Sequence, residues 1–241
     1  MTFDKYITSS FSHEGRKKDN QDNILIKDLG DSRLLLAIAD GMGGQTGGKI
    51  ASSVAIESLK SFVDFNIEIR WNVIYDKIQK DLETYITEHP DLEKMGTTLT
   101  ACLIDKDYVS FAHVGDTRLY HLRDNGIISI TKDQTELQKL IDDKVITKSV
   151  AKNYPRKNIL LSVMSARRPY TLQTGYFRIQ NNDRLLLSTD GAYSLISKKE
   201  LRDLSIKEPK LDLLCEKIKN TIEHKNIKDD YSVILFQLKN I

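Results

Sequence analysis

Two stretches of this chain, Leu34-Leu-Leu-Ala-Ile-Ala39 and Val233-Ile-Leu-Phe-Gln-Leu238, carry apolar residues on both alternating faces. Successive side chains of a strand point to opposite faces, so strands of this kind must be covered on both sides. A half-solvated sheet is excluded and a layered molecule is required. Further runs of strand character lie at 23–26, 97–104, 108–114, 118–122, 127–130, 172–179 and 184–187. Helical spacing marks three other groups: Ile50, Val54, Leu59 and Phe62; Ile74, Ile78, Leu82 and Tyr85; and Leu211, Leu214, Cys215, Ile218 and Ile222. Strands outnumber helices and do not alternate with them, so an α+β fold of two packed sheets with helices outside is expected rather than a wound parallel sheet.

Nothing divides the chain. With 241 residues, no internal repeat and no Pro/Gly/Ser linker, residues 1–241 read as a single domain. Lys plus Arg number 36 against 34 Asp plus Glu, which removes the basic excess that nucleic-acid binding requires. No apolar run approaches the roughly 18 residues needed to span a bilayer, so no membrane association is expected. Cys102 and Cys215 fall on apolar positions without CxxC spacing, and no secretory signal precedes them; they read as reduced core residues of a cytoplasmic protein. One segment stands apart. Residues 132–168 are charge-rich, contain Tyr154-Pro155, and read as a helix over 134–142 plus irregular chain inserted between two strands.

The polar residues with most to say are aspartates at strand ends. Two strands finish alike, in Ile38-Ala39-Asp40-Gly41 and in Ser188-Thr189-Asp190-Gly191, and a third finishes in Val114-Gly115-Asp116. Asp22 opens the run at 23–26, and Asp229-Asp230 precede the last strand. A single Asp-Gly is ordinary turn chemistry. Recurrence at five places is different, because carboxylates gathered on one rim of a sandwich repel each other unless cations hold them. Oxygen-only donors suit Mg2+ or Mn2+. Zinc is disfavoured: the cysteines and His13, His89, His113, His121 and His224 form no short ligand pair. A serine nucleophile lacks support, since there is no GxSxG and Ser188 lies within a strand.

Six segments taken together resemble the ordered motifs of the bacterial type 2C protein phosphatases. They are Gly15 through Asn20-Gln21-Asp22, Ala39-Asp40-Gly41-Met42-Gly43-Gly44 with Gly48 through Ser52, Gly96-Thr97-Thr98, Val114-Gly115-Asp116-Thr117-Arg118, Ser188-Thr189-Asp190-Gly191, and Asp229-Asp230-Tyr231-Ser232-Val233. The resemblance implies a central antiparallel β-sandwich flanked by helices, in four αββα layers, with residues 132–168 as the flap beside a metal site. It implies hydrolysis of phosphoserine and phosphothreonine in proteins by direct attack of a metal-bridging water. Asp40 would bridge two tightly bound Mn2+ or Mg2+ ions, the Gly41 carbonyl would ligate one, and Asp190 and Asp229 would complete the other. Asp116 with Asp190 matches the place of a third, weaker ion, and Asp22 would orient water. The implied partners are phosphorylated protein substrates, with a Ser/Thr kinase in opposition; the chain is expected to act as a monomer.

Four positions depart from the family pattern. Lys17, beside Arg16, stands where an Arg usually grips the phosphate, and the lost planar fork leaves that role to Lys17 or shared with Arg16. Asp230 replaces an Asn and is expected to add negative charge beside a ligand; Gln45 and Gln134 each replace a His. Met42 follows the bridging Asp-Gly and offers no proton for a leaving group. Two alternatives are kept: a catalytically silent phosphoprotein-binding member, and a phosphatase for a small phosphorylated metabolite.

Overall fold

The computed structural model describes residues 6–16, 19–63, 69–151 and 154–239. Its strands are β1 (Tyr6–His13), β2 (Asp22–Gly30), β3 (Arg33–Met42), β4 (Gly96–Thr97), β5 (Leu99–Asp105), β6 (Tyr108–Val114), β7 (Arg118–Arg123), β8 (Gly126–Ser129), β9 (Gln173–Arg178), β10 (Arg184–Ser188) and β11 (Tyr231–Leu238). Its helices are α1 (Gly44–Phe62), α2 (Trp71–Glu88), α3 (Glu136–Asp142), α4 (Lys148–Ala151), α5 (Asp190–Tyr193), α6 (Lys198–Lys207) and α7 (Leu211–Glu223). One sheet has the order β1-β11-β10-β7-β8 and the other β2-β3-β5-β6-β9, with β4 against the end of β3. Neighbouring strands run antiparallel throughout.

The doubly apolar strands explain the layering. From β3, Leu34, Leu36 and Ile38 meet Leu185, Leu187, Ile234 and Phe236 of the opposite sheet in the space between the sheets. The alternate residues Leu35, Ala37 and Ala39 face the other way, onto Ala51, Ala55 and Leu59 of α1 and Ile74 and Ile78 of α2. On the far side Leu186, Val233 and Leu235 pack under Leu201 of α6 and Leu214, Cys215 and Ile218 of α7. Three apolar layers therefore separate four structural ones, the αββα sandwich that the pattern requires. Cys102 lies between the sheets and Cys215 beneath α7, both buried and unbridged.

Four elements were not expected from periodicity: β1, α6 and the single turns α4 and α5. β1 reads Tyr-Ile-Thr-Ser-Ser-Phe-Ser-His, too rich in hydroxyls to look like a strand, yet it pairs with β11 along its whole length from Tyr6↔Leu238 to His13↔Tyr231. α6 has little apolar content, but its start is written in the sequence: Ser197 and Glu200 form a reciprocal capping box. The run at 97–104 breaks at Thr98, whose N–H donates to the Asp40 carbonyl instead of continuing a ladder.

The 132–168 insertion contains α3 and α4. α3 begins at Glu136 rather than 134, because the Thr135 hydroxyl caps it by accepting from the Gln138 N–H. The segment is tied at its root, where Thr135 bridges Leu160 and Thr97 bridges Met164. Its returning limb is less exposed than its charge implies, since Val163, Met164 and Ala166 are buried against the sheet.

Candidate metal centre

Asp40, Gly41, Asp116, Asp190 and Asp229 line a single cleft of about 790 Å3 at one rim of the sandwich. They arrive from both sheets: Asp40 and Gly41 end β3, Asp116 follows β6, Asp190 follows β10, and Asp229 precedes β11. Close backbone approach allows this. A Cβ on Gly41 would lie 2.0 Å from the Gly48 carbonyl oxygen, and one on Gly191 would lie 1.9 Å from that of Asp230, so only glycine lets these strand ends meet their neighbours. The backbone of Asp40 is fixed on both sides, its N–H donating to Thr98 Oγ1 (2.9 Å) and its carbonyl accepting from Thr97 Oγ1 (3.0 Å).

Asp22 stands behind this group rather than in the cleft wall, opposite Asp40 in the β2–β3 register. Its Oδ2 accepts from Thr189 Oγ1 (2.8 Å) and Ser232 Oγ (2.7 Å), while its Oδ1 is buried with no hydrogen-bond partner among the described residues. Arg16 reaches the cleft and donates to Asn226 Oδ1 (2.6 Å). Lys17, the other phosphate-binding candidate, lies outside the described residues.

Charge repulsion dominates the electrostatics. Burial first, then the carboxylates of Asp22, Asp190, Asp116 and Asp229, hold the Asp40 carboxyl well above the ordinary range. Burial likewise raises Asp22 to about 7 and Asp116 to about 7, with Asp190 adding repulsion to each. Such a group is stabilised by cations. The donor set is hard: the cleft lining holds carboxylates and backbone carbonyls, with no His or Cys among the described residues. No three acidic, His or Cys side chains close around a point by themselves among the described residues. Ions seated here would complete their shells with water and the Gly41 carbonyl, which is the habit of Mg2+ and Mn2+. With the stranded Asp22 Oδ1, the residues fit the paired cations that the resemblance implies.

Two departures acquire a structural reason. Asp230 Oδ1 and Oδ2 accept from the N–H groups of Gly15 (3.0 Å) and Gln21 (2.9 Å), so this carboxylate anchors the loop carrying Arg16, while its negative charge adds to the repulsion at Asp22. Gln134 bonds at four points: its Oε1 accepts from Gly115 N–H (2.9 Å), its Nε2 donates to the Thr171 carbonyl (2.9 Å), and its backbone pairs with Gly115 and Leu161. It fastens the root of the insertion to the turn that carries Asp116.

One participant escaped the sequence reading. The Tyr193 hydroxyl donates to Asp116 Oδ2 (3.1 Å), and its ring carries the Arg118 guanidinium at 3.6 Å. Arg118 in turn makes two bonds to Asp133 (2.9 and 2.7 Å) at the start of the insertion. No motif flags Tyr193; it meets Asp116 only because β10 and β7 are paired. Thr189 and Ser232, by contrast, sat within quoted motifs, and their hydroxyl donors to Asp22 were open to inference.

Comparison with known proteins decides the family. A model described as protein phosphatase 2C matches residues 11–228. The chain belongs to the protein phosphatase 2C family. The serine/threonine phosphatase stp of Listeria welshimeri is 32% identical over 193 residues, 77% of each chain. The crystal structure of the Mycobacterium tuberculosis serine/threonine phosphatase PstP/Ppp superposes with a TM-score of 0.89 at 25% identity, over 98% of this chain and 99% of that one. The catalytic domain of PstP in complex with two manganese ions gives a TM-score of 0.83 at 26% identity, over 98% of this chain and 99% of that one. The protein phosphatase 2C family depends on Mn2+ or Mg2+, which agrees with the hard oxygen donors of this cleft.

Proposed function

We propose that Asp40, the Gly41 carbonyl, Asp190 and Asp229 hold the paired Mn2+ or Mg2+ with which this chain hydrolyses phosphoserine and phosphothreonine in proteins. The observation that carries the assignment is the convergence of strand-end aspartates from both sheets on one cleft, with Asp40 buried and repelled by four other carboxylates. When bound, paired divalent cations neutralise phosphate oxygens and lower the pKa of a water, supplying the nucleophile and the charge balance together. Asp22 Oδ1 is the candidate acceptor that orients the attacking water, because it is buried, unsatisfied and behind Asp40. Arg16, alone or with Lys17, is assigned to the substrate phosphate; its bond to Asn226 orients the guanidinium along the cleft wall. Asp116 is assigned to a third, weaker cation. Met42 carries no transferable proton, so protonation of the leaving alkoxide falls to water near Asp116.

The silent-member alternative is not favoured: two of the three departures behind it, Asp230 and Gln134, have structural roles compatible with an intact carboxylate cluster, while Lys17 lies outside the described residues. We further read the described residues as one catalytic unit acting as a monomer in the cytoplasm against a Ser/Thr kinase. The single sandwich with both outer sheet faces covered supports the single unit; no helix among the described residues is long and apolar enough to cross a membrane. The test is hydrolysis of a phosphothreonine peptide, p-nitrophenyl phosphate and small phosphorylated metabolites after chelation and after adding Mn2+. Metal-restored activity on the peptide is expected; activity on metabolites alone would replace the protein substrate in this reading.

A further inference from the structure

The cleft opens on both sides into pockets that a phosphate ester does not fill. Asn158, on the insertion, lines the cleft, a neighbouring groove of about 770 Å3 and a notch of about 320 Å3. In the groove, Asp190 and Asp229 belong to the carboxylate cluster, and Arg118 and Asp133 neutralise each other in their two-bond pair. Lys157 and Lys228 remain, one on the insertion and one just before Asp229, and neither has an ion-pair partner among the described residues. Beside them Leu137 and Ile141 of α3 form an apolar stretch.

The notch is richer in apolar side chains, with Arg168 as its one charged lining residue. Met42, Ile159 and Leu161 line it and are 41%, 40% and 53% exposed. Apolar side chains gathered at the mouth of a site and left in water mark a contact surface. The two pockets thus flank the cleft with different balances, two lysines beside a short apolar stretch in the groove and a mainly apolar lining with the single cation Arg168 in the notch.

We propose that these pockets read the polypeptide on either side of the phosphorylated residue, the groove taking an acidic side chain and the notch an apolar one. The proposal rests on the phosphatase reading of the cleft. Consecutive residues of an extended chain advance about 3.3–3.6 Å, and Asn158 borders all three spaces, so the side chains read are those within two positions of the phosphoresidue. Lys157 and Lys228 are solvent-facing, so each contributes modestly and their effect is screened by salt. The apolar contact is not screened.

The experiment is a panel of phosphothreonine peptides carrying Asp, Ser or Lys on one side and Leu or Ser on the other, in both orders, with p-nitrophenyl phosphate as a control. In one order, kcat/KM for the Asp/Leu peptide should exceed that of the all-Ser peptide by roughly 3- to 10-fold, as two exposed ion pairs allow. The Asp preference should shrink in 0.5 M salt while the Leu preference persists. Lys157→Glu, alone and combined with Lys228→Glu, should abolish or invert the acidic preference with melting temperature and p-nitrophenyl phosphate turnover retained. Leu161→Ser should remove the apolar preference only. Equal kcat/KM for Asp and Lys peptides, an acidic preference that survives both substitutions, or a parallel loss on p-nitrophenyl phosphate would each overturn the proposal. Absence of hydrolysis of every substrate by the Mn2+-loaded wild type would instead overturn the phosphatase reading beneath it.

Discussion

Burial and mutual repulsion set the protonation of the cleft carboxylates whenever no cation is held. Asp22 and Asp116 keep their protons up to about 7 in the folded chain, against 3.8 in an ordinary setting. The native state therefore binds more protons than the unfolded one across that interval, and the stability these groups confer is complete below about pH 4 and lost as pH rises through 7. His113, held neutral by burial down to about 4, acts in the opposite sense below its usual 6.5. The fall is thus cleanest between about pH 6.5 and 7.5, at most ~1.4 kcal/mol per group and pH unit. Melting of the chelated protein should decline across that range, whereas the Mn2+-loaded protein should hold steady, because the cations require the ionised carboxylates. A chelated melting temperature that does not change with pH would mean the carboxylates are not crowded. Tyr193→Phe tests the neighbouring contact. It deletes the donor to Asp116 and keeps the ring beneath Arg118, so turnover on phosphothreonine peptide should drop several-fold with a melting shift of only a few degrees. Unchanged turnover would confine Tyr193 to packing.

At the scale of elements, the site depends on how closely strand ends approach one another. Gly191→Ala sets a methyl 1.9 Å from the Asp230 carbonyl, so β10 and the loop before β11 must part. A cost of about 1–3 kcal/mol is expected, at about 2–4 °C of melting temperature per kcal/mol, together with a larger loss of metal affinity measured by calorimetry. Wild-type affinity in that variant would show that Asp190 and Asp229 need no fixed spacing. Gln134→Ala leaves the Gly115 N–H without its side-chain acceptor and loosens the root of the insertion, costing about 1–3 kcal/mol and raising KM for phosphopeptides more than for p-nitrophenyl phosphate. Equal KM changes on both would make Gln134 a support of the metal cluster alone. These elements were unevenly legible in the sequence. β3 and β11 announced themselves because both faces are buried, and α7 because its stripe faces one sheet. β1 did not, since a hydroxyl-rich edge strand is specified by its partner β11 rather than by its own pattern. α6 was legible only through its Ser197–Glu200 cap.

The whole molecule joins a rigid layered interior to a charged rim. Phe236, fully buried between the sheets, should cost about 3–5 kcal/mol when replaced by Ala without altering which metals bind, because it supports the sandwich and does not line the cleft. The rim was foreseen because Asp-Gly recurs where strands must end, and repetition of a turn signal at separate places is improbable without a shared purpose. What lay beyond reach was side-chain pairing across distant elements. Asp116 and Tyr193 are separated by 77 positions, and Asp230 meets Gly15 across 215, distances over which only the packed sheets decide contact. Central to this account is the claim that the aspartate cluster, organised on Asp40, holds the cations that hydrolysis requires. The most direct measurement is bound manganese per chain and turnover on a phosphothreonine peptide, taken from the same preparations of wild type and Asp40→Asn with folding verified by melting. Wild type should hold at least two ions and lose all turnover in excess EDTA, and Asp40→Asn should fold, lose the paired ions and fall by orders of magnitude in turnover. Wild-type turnover by Asp40→Asn, or by the native chain in excess chelator, would contradict it.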